Sequence, residues 1–579
     1  MILVPQEKID EYTRHGWWGE RTLGDLFLSQ AERLGTSLAV ADPPNRPLLT
    51  GEAPLSWSWH ELLKQVGRYA SFLHEQGLQK DDVIILQLHN CVEMHAIYLA
   101  CALLGIVVSP VPMQYRAHEL LHVVSVTQAR QVITTARVAN YKAAEQWVLL
   151  LDQVKGVEKI WSFGESIPAG CSNLQSTLET SSIWNASKLR EHMHNIGLTA
   201  HDVLTICWTS GTESQPKGVP RNHNEWLIVG QSVMDAGQIK PGTQMLIPFP
   251  FVNMAGVSTS LVVWLMCGGG LHHHHPFDMD VFIQQLREQP IDYTVAAPAV
   301  INQLLKQPEK LGGIDLSRLK RVGSGGGPLS IWLMEEMFNQ FGIEVINYFG
   351  SNEGAAMASS PADMPDRAQR AQYFPRVGVP GYEWTVSNSR KISTRLVDVE
   401  TGEEITKPGR IGEVRFKGPT IFSGYYRSPK LTENAFDELG YYRTGDLFEI
   451  AGDRQQFYRF AGRHKDIVIR GGMNISSEEV ENLLMSHHKV RESAVIGCPD
   501  AVLGEKVCAV VVAQPGETLC LEELIDHMRN GVHAASYKWP EKLILIDELP
   551  RNAVGKILKR VLRDRFFPKQ AFPTTGVSA

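Results

Sequence analysis

The segment Thr209-Ser210-Gly211-Thr212-Glu213-Ser214-Gln215-Pro216-Lys217-Gly218-Val219 holds the densest set of groups able to handle phosphate. Small hydroxyl residues and glycine let backbone N–H groups and hydroxyls wrap a polyphosphate, and Lys217 adds a positive charge. The G-x-x-x-x-G-K-[ST] order is absent, so this is not a Walker loop. The segment follows a strand-like run, Val203 to Trp208, and is expected to lead into a helix. Taken alone, such a cluster also describes an ordinary solvated loop, so its weight depends on what accompanies it.

Five further segments accompany it. Gly325-Gly326-Gly327-Pro328 exposes backbone and suits a flat base. Asn347-Tyr348-Phe349-Gly350-Ser351-Asn352-Glu353 ends a strand with aromatic rings and then a carboxylate, suited to a base and a magnesium ion. Tyr442-Arg443-Thr444-Gly445-Asp446-Leu447 places one acid after a tight turn, where it can accept ribose hydroxyls. Gly462-Arg463-His464-Lys465-Asp466 is a short charged punctuation, and Pro550-Arg551-Asn552-Ala553-Val554-Gly555-Lys556-Ile557 presents a lysine from a loop. Each alone reads equally as a glycine turn, a helix cap or a surface ion pair; their order is the argument.

The elements that must position these groups alternate. Trp59 to Gln76 has helical apolar spacing, Asp82 to Leu88 is strand-like, and Cys91 to Leu104 is apolar enough for a buried helix. The same rhythm returns between Val203 and Tyr348, which predicts α/β layers with a largely parallel sheet. Past Gly409 the chain becomes strand-rich. Beyond Asp466 it has its own pattern: a helix from Ser477 to His488, strands Ser493–Ile496 and Lys506–Ala513, a helix from Leu521 and a strand Lys542–Ile546. That predicts domains 1–463 and 464–579, the second a small α+β unit, with tails at Met1–Ile9 and Pro568–Ala579.

Bulk properties exclude several classes. The chain has 579 residues, too many for one core, with 43% hydrophobic and 21% charged residues. A net charge of -7 gives no basic field for nucleic acid. The eight cysteines are scattered without a C-x-x-C pair and read as reduced core residues. No signal peptide is visible, and the apolar run Val257 to Gly268 is too short and too broken for a membrane span. A cytoplasmic enzyme is expected.

With these segments in place, the chain resembles the adenylate-forming superfamily of acyl-CoA synthetases, peptide-synthetase adenylation domains and luciferases over nearly its full length. The match is closest to bacterial short- and medium-chain acyl-CoA synthetases and to aryl-acid ligases. Thr209 to Gly218, Phe349 to Glu353, Thr444 to Asp446, Gly462 to Asp466 and Pro550 to Lys556 carry the resemblance. It implies a large N-terminal domain of layered sheets and helices with a distorted β-barrel, and a small mobile α+β C-terminal domain hinged near Lys465. It also implies ATP, Mg²⁺ and CoA or phosphopantetheine as cofactors. Thr209, Ser210, Gly211, Thr212 and Lys217 would hold the β- and γ-phosphates. Gly325, Gly326, Gly327, Asn347, Tyr348, Phe349, Gly350, Ser351 and Asn352 would frame the nucleotide. Glu353 would ligate Mg²⁺, Asp446 with Arg463 would hold the ribose, Lys556 would bridge carboxylate and α-phosphate, and Gly471 with Gly472 would meet CoA. Phe251, Val252, Asn253 and Met254 would border the acid.

The implied reaction is ATP-dependent joining of an acid to AMP, then transfer to CoA. The acid is expected to be medium-chain aliphatic, alicyclic or aryl, because Phe249 to Gly256 is apolar and offers no carboxylate for an ammonium. A carrier-protein phosphopantetheine is the alternative acceptor, and a nucleotide-binding homologue without turnover is the reading from another class. The motive for the latter is Glu213-Ser214, which stands where the family has Thr-Gly. Asn352 replaces a family threonine and Asn253 a family histidine. The run His272 to His275 is not expected to hold a metal, since strand neighbours point to opposite faces, and Trp17-Trp18 is expected to pack.

Overall fold

A run of short apolar strands, each closed by a helix, can bury both faces of a parallel sheet only if helices cover it. The computed structural model of the chain has this arrangement. It describes residues 1–153, 156–209, 215–327, 329–463, 466–470, 473–500, 503–532, 534, 536–551 and 557–568, with backbone only at Arg463, Met473 and Asn474. The chain divides into two units, Met1–Arg395 with Arg415–Thr444, and Leu396–Val414 with Gly445–Ala579.

Two sheets organise the first unit. One runs, in spatial order, through Ser172–Asn173, Lys159–Phe163, Gln131–Thr135, Val83–Gln87, Val107–Pro110, Val203–Thr209 and Lys217–Asn222. All neighbours in it are parallel except the last pair. The other runs through Ala356–Ser359, Glu344–Gly350, Arg321–Gly325, Tyr293–Val295, Met245–Ile247, Leu271–His273, Leu38–Ala41 and Ser56–Ser58. Its six inner strands are parallel and its two edge strands antiparallel. A single apolar core draws on both sheets, through Leu86 and Ile133 on one and Met245 and Val295 on the other. Phe72, Ile97, Trp226 and Trp264 join it from the helices.

Local sequence explains the helices. Ser58 and Glu61 form a reciprocal cap ahead of Trp59–Glu75, whose Leu62, Val66, Tyr69, Ala70 and Leu73 are buried at helical spacing. Val92–Leu104 is buried almost all round and stops at Gly105, in the left-handed region. Residues Met1–Ile9 are not the expected tail: Gln6–Arg14 is helical, Ile9 is buried, and the Val203 amide donates to the Met1 carbonyl at 2.7 Å. Trp18 is packed as expected, buried, with its indole N–H donating to the Pro419 carbonyl at 3.2 Å.

In the second unit, the antiparallel pair Val490–Asp500 and Gly504–Ala513 alternates its side chains between two cores. Val495, Val507, Ala509 and Val511 face the helices Ser477–Met485 and Leu521–Asp526, while Ala494, Ile496, Cys508 and Val510 pack with Leu562 of Lys559–Phe566. The strands Tyr442–Ala451 and Phe457–Arg463 pair antiparallel within a five-stranded sheet, and no closed barrel is found among the described residues. Among the described residues no helix is long and apolar enough to cross a membrane.

Candidate active site

The phosphate segment is framed by a hairpin. Val203–Thr209 and Lys217–Asn222 are antiparallel neighbours with Thr209 opposite Lys217. The segment was expected to precede a helix, and the helix His223–Gly237 follows it after the second strand. Pairing with Val203–Thr209 satisfies the backbone of Lys217–Asn222 that a helix would have to satisfy internally. Ser210, Gly211, Thr212, Glu213 and Ser214 lie outside the described residues. On the downstream shoulder the Pro216 carbonyl is 2.8 Å from His122 Nε2; a carbonyl only accepts, so that nitrogen carries the proton.

Lys217 meets a distant part of the chain. Its ammonium lies 4.9 Å from the centre of the Tyr425 ring. The Tyr425 hydroxyl donates to Glu353 Oε1 at 2.9 Å. Burial, then the Glu353 charge, push the Tyr425 phenol well above its ordinary value, so it stays a donor at any working pH. Glu353 is only 6% exposed. Its backbone is pinned as well, its carbonyl accepting from Phe422 N at 2.9 Å. Gly354 follows at φ +100, where a Cβ would sit 1.8 Å from the Thr420 carbonyl, so only glycine lets the two loops approach.

Asn352 ties two candidate regions together. Its side-chain oxygen accepts from Met254 N at 2.7 Å, and its amide donates to the Trp208 carbonyl at 3.1 Å. One side chain thus links the strand entering the phosphate segment to the start of Met254–Gly256. Arg221, fully buried, donates to the Asn352 carbonyl at 3.3 Å. Asn253 serves its own segment, capping it by accepting from Gly256 N at 3.0 Å. Phe251, Val252 and Met254 are buried, and Phe251 packs edge-on against His95 and His273.

The carboxyl ends of the parallel strands Arg321–Gly325 and Glu344–Gly350 bring the base-binding candidates side by side, with Gly325 opposite Tyr348. A Cβ on Gly325 would lie 2.4 Å from the Tyr348 carbonyl, and Gly326 turns at φ +78, so the glycines leave the backbone beside the ring bare. The Tyr348 hydroxyl is 3.1 Å from that of Tyr293. Asn347 is turned elsewhere, its amide donating to the Arg370 carbonyl at 3.1 Å.

In the second unit Asp446 and Arg463 are direct cross-strand partners, and Asp446 is buried. Gly445 turns at φ +71 with its N–H donating to Glu413 at 2.9 Å. Ile467–Arg470 and Met473–Ser476 flank Gly471 and Gly472, and the bridge between Arg551 and Ile557 brackets Lys556. Lys465, Gly471, Gly472 and Lys556 themselves lie outside the described residues. The four histidines His272 to His275 are all buried, and among the described residues no group of three or more ligand-type side chains is placed to hold a metal.

A family model described as AMP-binding enzyme matches residues 37–426, and the corresponding C-terminal domain model matches 479–556. The chain belongs to the AMP-binding enzyme family. The chain is 28% identical to the medium-chain fatty-acid–CoA ligase of Escherichia coli K12, covering 95% of this chain and 92% of that one. It is 26% identical to a Streptomyces salicylyl-CoA synthase / salicylate adenylyltransferase, covering 97% and 96%. The solved structure of ATP-bound MatB from Rhodopseudomonas palustris superposes with a TM-score of 0.74 at 27% identity, covering 94% and 99%. As a member of this family the chain is an adenylate-forming acid ligase that uses ATP.

Within this AMP-binding enzyme the residue that sequence reasoning missed is Tyr425. A tyrosine after a glycine, here Gly424, has no spacing that announces its partners. His122 was missed for the same reason.

Proposed function

We propose that this enzyme activates a medium-chain aliphatic, alicyclic or aryl carboxylic acid as its acyl-adenylate and passes the acyl group to CoA. The observation that carries this reading is Lys217, Tyr425 and Glu353 in contact beside the phosphate hairpin, coupled through Asn352 to the apolar Phe249–Gly256 segment. A carboxylate attacking an α-phosphate is already ionised at neutral pH, so no general base is required and charge neutralisation does most of the work. Lys217 would hold the β- and γ-phosphates with Thr209 to Thr212, and Lys556 would bridge the carboxylate and the α-phosphate.

Mg²⁺ fits the residues present. Glu353 receives the Tyr425 hydroxyl on Oε1, its Oε2 has no hydrogen bond to a described residue, and a carboxylate oxygen is the hard donor Mg²⁺ takes. When bound, the ion would neutralise phosphate charge. Tyr348, Phe349 and Gly325 to Gly327 would frame the base, and Asp446 with Arg463 the ribose. The domain following Arg463 would pivot near Lys465 to admit the thiol, with Gly471 and Gly472 on its path.

The acid reading is supported by the absence of a carboxylate between Phe249 and Gly256, since a buried ammonium without a partner costs several kcal/mol. The test is ATP–pyrophosphate exchange across amino acids, straight-chain acids from C2 to C16, cyclohexanecarboxylate and benzoates, followed by thioester formation with CoA as sole acceptor. Exchange with an unaminated acid and a CoA thioester are expected. Exchange confined to an amino acid would sink the substrate reading, and exchange without a CoA thioester would favour a carrier-protein phosphopantetheine.

A further inference from the structure

We propose that Tyr425 is an insulating positioning residue: it keeps the Lys217 ammonium from pairing with the Glu353 carboxylate, so that the cation remains available to polyphosphate and the carboxylate to a divalent cation. The inference rests on the adenylation reading above and assigns a new role within it.

Lys217 and Glu353 contact one and the same side chain, the first over the ring face and the second at the hydroxyl. Opposite charges that touch one side chain, with Glu353 buried and Lys217 half-buried, attract, and a contact ion pair is the competing arrangement. Lys217 nonetheless makes no ion pair with a described carboxylate. Tyrosine suits the gap because it offers each charge a separate reason to stay. The electron-rich face holds the ammonium, and the O–H donor holds one carboxylate oxygen.

Tyr425 is itself held on three sides. Its N–H donates to Thr432 Oγ1 at 2.9 Å, its ring meets Phe422 edge-on at 4.9 Å, and its neighbour Tyr426 donates its N–H to the Gly218 carbonyl at 2.9 Å. The last bond fastens this loop to the strand that carries Lys217. Neither charge can shift toward the other without displacing a ring that cannot easily move.

The experiment is calorimetric binding of a non-hydrolysable ATP analogue, with Mg²⁺ and with chelator, to the full chain. Tyr425→Leu should let Lys217 collapse onto Glu353 and weaken Mg²⁺-free binding by about tenfold. Adding Glu353→Gln to Tyr425→Leu should restore that affinity, because the competing carboxylate charge is gone. Tyr425→Phe keeps the ring face, so Mg²⁺-free affinity should hold while the gain on adding Mg²⁺ shrinks. A purely structural tyrosine would show no rescue by a second substitution, and that result overturns the proposal. Should Tyr425→Leu fail to fold by circular dichroism, Tyr425→Met carries the same rescue test. A wild-type chain that binds no nucleotide overturns the adenylation reading and this inference together; tight wild-type binding without rescue overturns the inference alone.

Discussion

Arg46 and Lys217 are both first-unit cations set near carboxylates, yet their surroundings differ in kind. Arg46 is 1% exposed and bonds directly to Asp42, to Glu52 at 2.9 Å and to Glu93 at 2.6 Å. Asp42 also accepts from Val92 N and Leu55 N, both at 3.0 Å. Burial, then the Glu93 charge, push the Asp42 carboxyl up in spite of the guanidinium. In that cluster the carboxylates bind the guanidinium directly and hold Arg46–Thr50 to the start of Val92–Leu104. At Lys217 an aromatic ring stands between the charges. Direct pairing makes structure, and separation leaves charge able to bind a ligand.

Four experiments break or sharpen this contrast. The largest effect is expected from Arg46→Leu, which leaves acids buried without their cation and should cost roughly 3–5 kcal/mol of stability. Urea denaturation measures it; the folded fraction should retain its exchange activity, and a loss of activity without a loss of stability would erase the distinction. Glu353→Gln should do the reverse. Pyrophosphate exchange should fall by a factor on the order of 10²–10³, equivalent to about 2.7–4 kcal/mol, with the denaturation midpoint little changed.

Asn352→Leu should come next. It strands Met254 N and the Trp208 carbonyl, a penalty of about 1–3 kcal/mol for a buried unpaired group. Since the link joins the proposed nucleotide and acid sides, steady-state kinetics should show KM for both substrates rising together. A rise in one alone would mean the link does not couple them.

The last experiment concerns pH. His95 is buried with no hydrogen-bond partner on either ring nitrogen among the described residues, and burial lowers it from 6.5 to about 3. The unfolded chain therefore takes the proton first. Stability is complete above about pH 6.5 and falls as pH drops toward 3, by up to about 1.4 kcal/mol per pH unit from this group. His95→Leu should flatten the decline in denaturation between pH 7 and pH 5; an unchanged slope would mean that His95 is not among the groups responsible.

Much of this was legible in the residues. The α/β layering followed from short apolar strands alternating with helical spacing, and Trp59–Glu75, Val92–Leu104 and Gly504–Ala513 fall where periodicity puts them. The hairpin at Lys217–Asn222 was missed because Lys-Gly-Val-Pro-Arg-Asn has weak strand character of its own. It forms a strand because Val203–Thr209 offers it an edge. The complete burial of the histidine run was not foreseeable from alternation.

The sequence by itself determined the order of the chemical segments, the kinds of group in each, and the family that order resembles. Backbone periodicity and motif order are local, so one chain suffices to read them. Only the tertiary structure decided that Tyr425 would stand between Lys217 and Glu353, and that Asn352 would reach both Trp208 and Met254. Such contacts join residues far apart in the chain through a ring face or a single amide. They have no period to betray them, and they exist only once the sheets have brought their loops together.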